Sequence, residues 1–326
     1  TGYVAMPSEF SEIDRSTNWL TTARITPLCV PLALGSLHTG VDQGAATLDR
    51  ELRARWQARE DLELLARLDP AADIPVAPLP QTDPVRHPGQ VLFAHEIVQA
   101  SRVLADQTHE AIEQGRLPLT LGGDHAVAIG SVAGAARACQ RLAVIWVDAH
   151  GDLNWPEVIP SGRVHGMPLG VSLGRGLSEL TAIGVNPEVR PEDTYLFGIR
   201  SLDPAERAWI NDGAITCITT AEIDEIGLNS AISHIFERIA ASGVDAVHLS
   251  FDVDVLDPLV MPGTGTTVPG GLAMREAAHL LRRIRSAPLP IHSLDWVELN
   301  PTLDPSGSST EIATKLLAIA LGETAI

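Results

Sequence analysis

The chain has 326 residues, 45% hydrophobic and 20% charged, which is enough apolar material for a large core and the wrong composition for a disordered protein. Its formal net charge of −18 disfavours nucleic acid or an anionic membrane as a partner and is compatible with a small cationic substrate. No apolar run reaches the roughly 18 residues of a membrane span, and the opening TGYVAMPSEFSEIDRST has no basic-then-apolar leader pattern, so a cytoplasmic location is expected.

In chain order, residues 1–24 show no clear pattern and are set apart as an N-terminal extension, while residues 25–326 read as one domain because no linker separates two halves. Apolar runs predict strands at 25–34 (ITPLCVPLAL), 117–121 (LPLTL), 142–147 (LAVIWV), 194–199 (TYLFGI), 214–218 (AITCI), 245–251 (DAVHLSF) and 289–294 (LPIHSL). Between them, amphipathic stretches such as 90–115, 125–139, 229–242 and 271–285 predict helices, and the proline-rich residues 70–90 read as an exposed connection. Near-continuous apolar strands alternating with helices indicate an α/β fold with a parallel sheet covered on both faces. Ligands of such sheets bind beyond the carboxyl ends of the strands.

Four of these runs end in ionisable groups. LPLTL leads to His125, LAVIWV to Asp148, His150 and Asp152, DAVHLSF to Asp252 and Asp254, and LPIHSL to Glu298. Asp148, His150 and Asp152 alternate, so in extended chain they share a face. A lone Asp-x-His is more often a cap or surface pair, and Asp124 in GGDHA reads as a cap for the following helix. Four aspartates and two histidines at one rim are different, because like charges crowded in low dielectric repel or take up protons unless cations neutralise them. Carboxylate and imidazole ligands without thiolate suit Mn²⁺, with Co²⁺, Ni²⁺ or Zn²⁺ also compatible. Six ligands exceed the need of one ion with an open position, so two ions about 3.5–4 Å apart are expected. Cys29, Cys139 and Cys217 lack metal-type spacing and read as inert core thiols. His38, His87, His95, His109 and His292 have no ionisable company and read as ordinary core or surface residues.

Taken together, LGGDHAVAIG, DAHGDLN, SGRVHGMP, FGIRSLDPAE, SFDVDVLDP, GTGTTVPGG and DWVELNPTLD resemble, in this order, the signature blocks of the arginase (ureohydrolase) family, from about residue 25 to about residue 320. The resemblance implies a three-layer α/β/α sandwich around an eight-stranded, mostly parallel sheet, in an enzyme that hydrolyses a guanidino compound with two manganese ions. It implies one ion on His125, Asp148, Asp152 and Asp252 and the other on Asp148, His150, Asp252 and Asp254, with Asp148 and Asp252 bridging. A guanidinium carbon is a poor electrophile, and metal coordination, which lowers the pKa of bound water to about 7, creates the hydroxide that attacks it. By the same resemblance Asp152 orients the nucleophile, Glu298 receives the guanidinium, His165 shuttles a proton to the departing amine, and Thr266 adds a hydrogen bond near the guanidinium.

Within the family the blocks favour L-arginine, cleaved to L-ornithine and urea. Asn154 and Ser161 match positions that bind an α-carboxylate, and Asp203 and Glu206 match those that reach an α-ammonium. Arg163, Gly151 and the pair Ile159-Pro160 depart from the family pattern, and Arg163 is expected to grip a carboxylate directly, which leaves Nω-hydroxyarginine, agmatine or a guanidino acid as alternatives. A non-catalytic relative would lack ligands, and none is missing here; a single-zinc amide hydrolase is a third reading. Family analogy also implies a homotrimer or homohexamer.

Overall fold

The computed structural model describes residues 16–80, 87, 89–159, 161–185 and 187–324. Its strands are β1 (Arg24–Val30), β2 (Ala72–Asp73), β3 (Arg116–Gly122), β4 (Leu142–Val147), β5 (Val189–Ile199), β6 (Thr216–Thr219), β7 (Ala246–Asp252) and β8 (Ile291–Val297). They form one eight-stranded sheet in the order β2-β1-β3-β8-β7-β4-β5-β6, with every pairing parallel. Helices Ala94–Glu113 and Ala128–Arg137 pack together, while Gln43–Ala58, Ser308–Ala320 and Met274–Ser286 pack in succession, giving the three-layer α/β/α sandwich. The strands β3, β4, β7 and β8 are buried almost throughout, as expected of a parallel sheet covered on both faces.

Local chemistry explains the elements. Helix Ala94–Glu113 buries Ile97, Ser101, Leu104, Ala105, Thr108, Ala111 and Ile112, a spacing of three and four that puts them on one face. It stops at Gly115, whose φ of 70° is open to glycine and strained for other residues. On the sheet, Phe251 and Trp296 are register partners on β7 and β8, and their rings stack at 4.2 Å. Such a pair adds about 0.5–1.5 kcal/mol beyond the area it buries.

The structure moves several strand boundaries, among them the start of β5, which lies at Val189 rather than residue 194. The first strand ends at Val30 rather than residue 34, because Pro31 cannot donate to a ladder. Within the proline-rich stretch, Ala72 and Asp73 pair with Leu28 and Cys29, a short edge strand flanked by Pro70 and Pro75. The last strand runs on to Val297 through buried Asp295, whose Oδ2 accepts from Ser131 Oγ at 2.7 Å and lies 3.0 Å from His248 Nε2 inside the sheet. Residues 18–22 also pack on the sheet: Leu20 is fully buried, Trp19 lies 4.3 Å from the His292 ring, and Asn18 Nδ2 donates to Ile284 O at 2.9 Å. Residues 1–15 of the expected extension lie outside the described residues. Among the described residues, no helix is long and apolar enough to cross a membrane.

The cysteines are free, Cys29 buried and the other two half-buried. Burial pushes the thiols of Cys29 and Cys217 up to about 12, which keeps them protonated and unreactive at neutral pH.

Candidate active site

Strand order assembles the site. β3, β8, β7 and β4 are consecutive neighbours, so the segments after residues 122, 147, 252 and 297 emerge side by side although they are far apart in sequence. Register also levels them. Val147 pairs with Phe251, which sets Asp148 beside Asp252, and Asp252 pairs with Val297, which sets Glu298 one residue further along the same rim. Asp152 and Glu298 have φ of 51° and 65°, left-handed values costly for non-glycine residues and concentrated at functional sites. Gly123 is required here, since a Cβ on it would lie 1.8 Å from the Leu32 carbonyl oxygen.

His125 is the hub. Its Nδ1 lies 3.1 Å from Asp148 Oδ2, 3.1 Å from Asp152 Oδ2 and 3.2 Å from Asp252 Oδ2. His150 Nδ1 lies 3.0 Å from Asp254 Oδ2 and 3.5 Å from Asp148 Oδ1. The ligand atoms of His125, Asp148 and Asp252 fall within 4.8 Å of one another, as do those of Asp148, His150 and Asp254, and Asp148 belongs to both groups. The fit to cations is tested by His125 itself: its Nδ1 is buried without a well-formed hydrogen bond while three carboxylates converge on it. Its other nitrogen is already engaged, with Nε2 2.8 Å from Ser250 Oγ, and the ring stacks on Trp146 at 4.1 Å. A nitrogen aimed at three carboxylates and locked from behind is a ligand geometry.

The electrostatics agree. Burial raises the pKa of Asp254 to about 6 and that of Asp252 well above the carboxylate range, with neighbouring aspartates adding to both. Burial and the charge of Asp148 also raise Asp152. Burial works against the charge of Asp148, but the imidazoles of His125 and His150 facing it outweigh that and lower its pKa. For His150, burial opposes the charged form, yet the charges of Asp254 and Asp148 push it up to about 12. Without cations these acids must share protons with the imidazoles, whereas divalent ions would neutralise them directly.

A cavity of about 270 Å³ opens onto this cluster. It is lined by His125, His150, Asp152, Asp252, Asp254 and Glu298, by His165 and Thr266, and by Asn154, Ser161, Asp203 and Glu206. Asp148 lies beneath it, fully buried, accepting from Trp146 Nε1 at 3.0 Å and from the His150 N–H at 2.6 Å. Glu298 Oε1 accepts from the His125 backbone N–H at 2.9 Å and lies 3.3 Å from His165 Nδ1. Burial works against the charges of both, but the contact between them lowers Glu298 and raises His165, favouring an ion pair. Asn154 Nδ2 donates to Asp203 Oδ2 at 2.9 Å, and the buried Asn154 Oδ1 has no partner among the described residues. Glu206 is held by backbone: Oε1 accepts from Leu153 N–H at 2.9 Å and Oε2 from Asp203 N–H at 2.8 Å.

Arg163 is placed elsewhere. It is buried, its guanidinium donates to Leu34 O at 3.4 Å and lies 5.6 Å from the Phe93 ring centroid, and it does not line the cavity. Ile159 does line it, whereas Pro160 lies outside the described residues. Sequence reasoning did not single out Ser201, which lines the cavity, or Ser250 and Trp146, which orient His125 and Asp148. It also passed over Arg200, whose guanidinium donates to Asp254 O at 2.8 Å and Val268 O at 2.8 Å and ties the Asp254 loop to the next. Arg200 and Ser201 stand in the block FGIRSLDPAE, where an Arg after a buried strand was the available signal.

A paired carboxylate–imidazole centre at the carboxyl rim of a parallel sheet, beside a small polar cavity, defines a metal-dependent α/β enzyme. Comparison with known proteins narrows the class. The model of the arginase family matches residues 23–322. The arginase of Bacillus caldovelox is 38% identical over 312 residues, covering 92% of this chain and 98% of that one. The arginase of Staphylococcus aureus strain COL is 44% identical over 229 residues, covering 70% and 75%. The crystal structure of Bacillus caldovelox arginase superposes with a TM-score of 0.84 at 36% identity, covering 94% of this chain and all of the other. The chain belongs to the arginase family, and its enzyme class is that of the metal-dependent amidinohydrolases.

Proposed function

We propose that this enzyme hydrolyses L-arginine to L-ornithine and urea, using two Mn²⁺ ions held by His125, Asp148, His150, Asp152, Asp252 and Asp254. The observation that carries the reading is a single cavity lined both by the acid–imidazole cluster with Glu298 and by the hydrogen-bonded pair Asn154–Asp203. One group suits a guanidinium and the other the polar end of an α-amino acid. The arginase names of the relatives at 38% and 44% identity support the same substrate.

When bound, the cations supply Lewis acidity and a nucleophile drawn from water at neutral pH. The protein's own groups do the rest. Asp152 orients the attacking water, held in place by its constrained backbone. Glu298, kept ionised by His165, receives the planar guanidinium in charge-assisted hydrogen bonds. His165, kept protonated by Glu298, gives the proton that the departing amine needs. Thr266 adds a hydrogen bond beside the guanidinium. Ser161 Oγ and the Asn154 Nδ2 hydrogen not given to Asp203 donate to the α-carboxylate, Asp203 takes the ammonium, and Glu206 acts by fixing the Asp203 backbone. Position thereby replaces chance collision.

The test is urea release by Mn²⁺-loaded protein from arginine, agmatine, 4-guanidinobutanoate and Nω-hydroxyarginine. Arginine should have the highest kcat/KM. Equal turnover of arginine and agmatine would defeat the α-amino-acid assignment, since agmatine lacks the carboxylate.

A further inference from the structure

Just outside the cavity, the Arg175 guanidinium sits in the corner of two perpendicular tryptophan rings. It lies 4.5 Å from the Trp155 ring centroid and 3.9 Å from that of Trp209, and the two rings meet edge to face at 6.3 Å and 84°. The three residues come from three segments. Trp155 follows Asn154, Arg175 follows the short helix Pro168–Ser172, and Trp209 lies on helix Pro204–Asn211, directly after Asp203. Both tryptophans are half-buried and Arg175 is exposed.

Trp155 is also the anchor of a cavity wall. Its carbonyl oxygen accepts from Val158 N–H at 3.0 Å and Ile159 N–H at 3.1 Å, and Ile159 lines the cavity. On the other side Asn154 N–H donates to Gly166 O at 3.1 Å. The Asn154 and Asp203 side chains that meet at 2.9 Å are therefore carried by two segments whose outer sides are joined through Arg175.

We infer that Trp155, Arg175 and Trp209 form a positioning clasp that sets the Asn154–Asp203 pair and the Ile159 wall, and so controls affinity for the α-amino-acid end of the substrate without touching it. This rests on the proposed arginine reading for its kinetic arm only. The clasp is separate from the metal cluster and from Glu298.

The experiment compares wild type with Arg175→Ala and Arg175→Lys in Mn²⁺-loaded enzyme. Amide hydrogen exchange at residues 158–159 should rise about tenfold in Arg175→Ala and return most of the way in Arg175→Lys, which keeps a cation over the rings. The KM for arginine should rise about fivefold to tenfold with kcat little changed, while inhibition by guanidinium ion, which has no α-amino-acid end, stays as in wild type. Unchanged exchange in Arg175→Ala overturns the clasp. So does a KM for arginine that moves in step with guanidinium inhibition. If wild type releases no urea from arginine, the substrate reading fails, and the exchange arm still decides whether the clasp holds the loop.

Discussion

Replacing Asp203 with Ala removes a carboxylate that lines the cavity and accepts from Asn154 Nδ2 at 2.9 Å. A charge-assisted hydrogen bond to a substrate ammonium contributes about 1.5–3 kcal/mol, which corresponds to a loss of about 10- to 150-fold in kcat/KM for arginine. Folding should weaken too. The Asp203 N–H keeps its bond to Glu206, but helix Pro204–Asn211 loses its N-cap carboxylate and buried Asn154 Nδ2 loses its acceptor. Together these cost about 1–3 kcal/mol, which a Tm measurement separates from the kinetic loss. Metal content should not change, because Asp203 lies outside the acid–imidazole cluster. 4-Guanidinobutanoate lacks the ammonium, so its kcat/KM should barely move and the preference for arginine should collapse. Asp203→Asn, which keeps an acceptor for Asn154 but no charge, separates recognition from structure and should show most of the same kinetic loss. Urea release on both substrates, with metal analysis of each variant, is the assay. A kcat/KM on arginine within about twofold of wild type, or equal losses on both substrates, would refute the reasoning.

Further outcomes follow from the cluster. Ser250→Ala removes the partner of His125 Nε2, so metal affinity measured by chelator competition should fall about 10- to 100-fold, and an unchanged value would show that the 2.8 Å contact does not orient the ring. The raised pKa values of Asp254, at about 6, and of Asp152 and Asp252 mean that protons compete with metal on the acid side. Metal affinity should therefore weaken steadily from about pH 7 to about pH 5, and a flat titration over that window would contradict the assignment. Those same raised carboxylates make the metal-free protein less stable as pH rises through about 6, because the folded state holds more protons than the unfolded one. The Tm difference between metal-loaded and chelator-treated protein should accordingly widen from about pH 5 to about pH 7, and a constant difference would count against it.

The sheet was legible because parallel strands buried on both faces leave uninterrupted apolar runs, as LAVIWV does for β4. The candidate ligands were legible because DAHGD and DVD place ionisable groups directly after such runs. Their convergence was not, since it depends on strand order: β8 and β7 lie between β3 and β4, and no local pattern states that. Asp295 misled at a strand end because its burial is made tolerable by Ser131 and His248, residues more than 40 positions away. Ser250, Trp146 and Arg200 act through hydrogen bonds to distant partners, so their types alone carried little information. Arg163 shows the converse, a charge beside the site residues in sequence whose side chain turns to Leu34 and Phe93.

The most direct test of the paired centre is metal quantification on purified, active protein, titrated against activity. Two manganese ions per chain, with activity lost to chelator and restored in proportion to the metal returned, is the predicted result. Full activity in protein carrying one ion or none per chain would contradict the account.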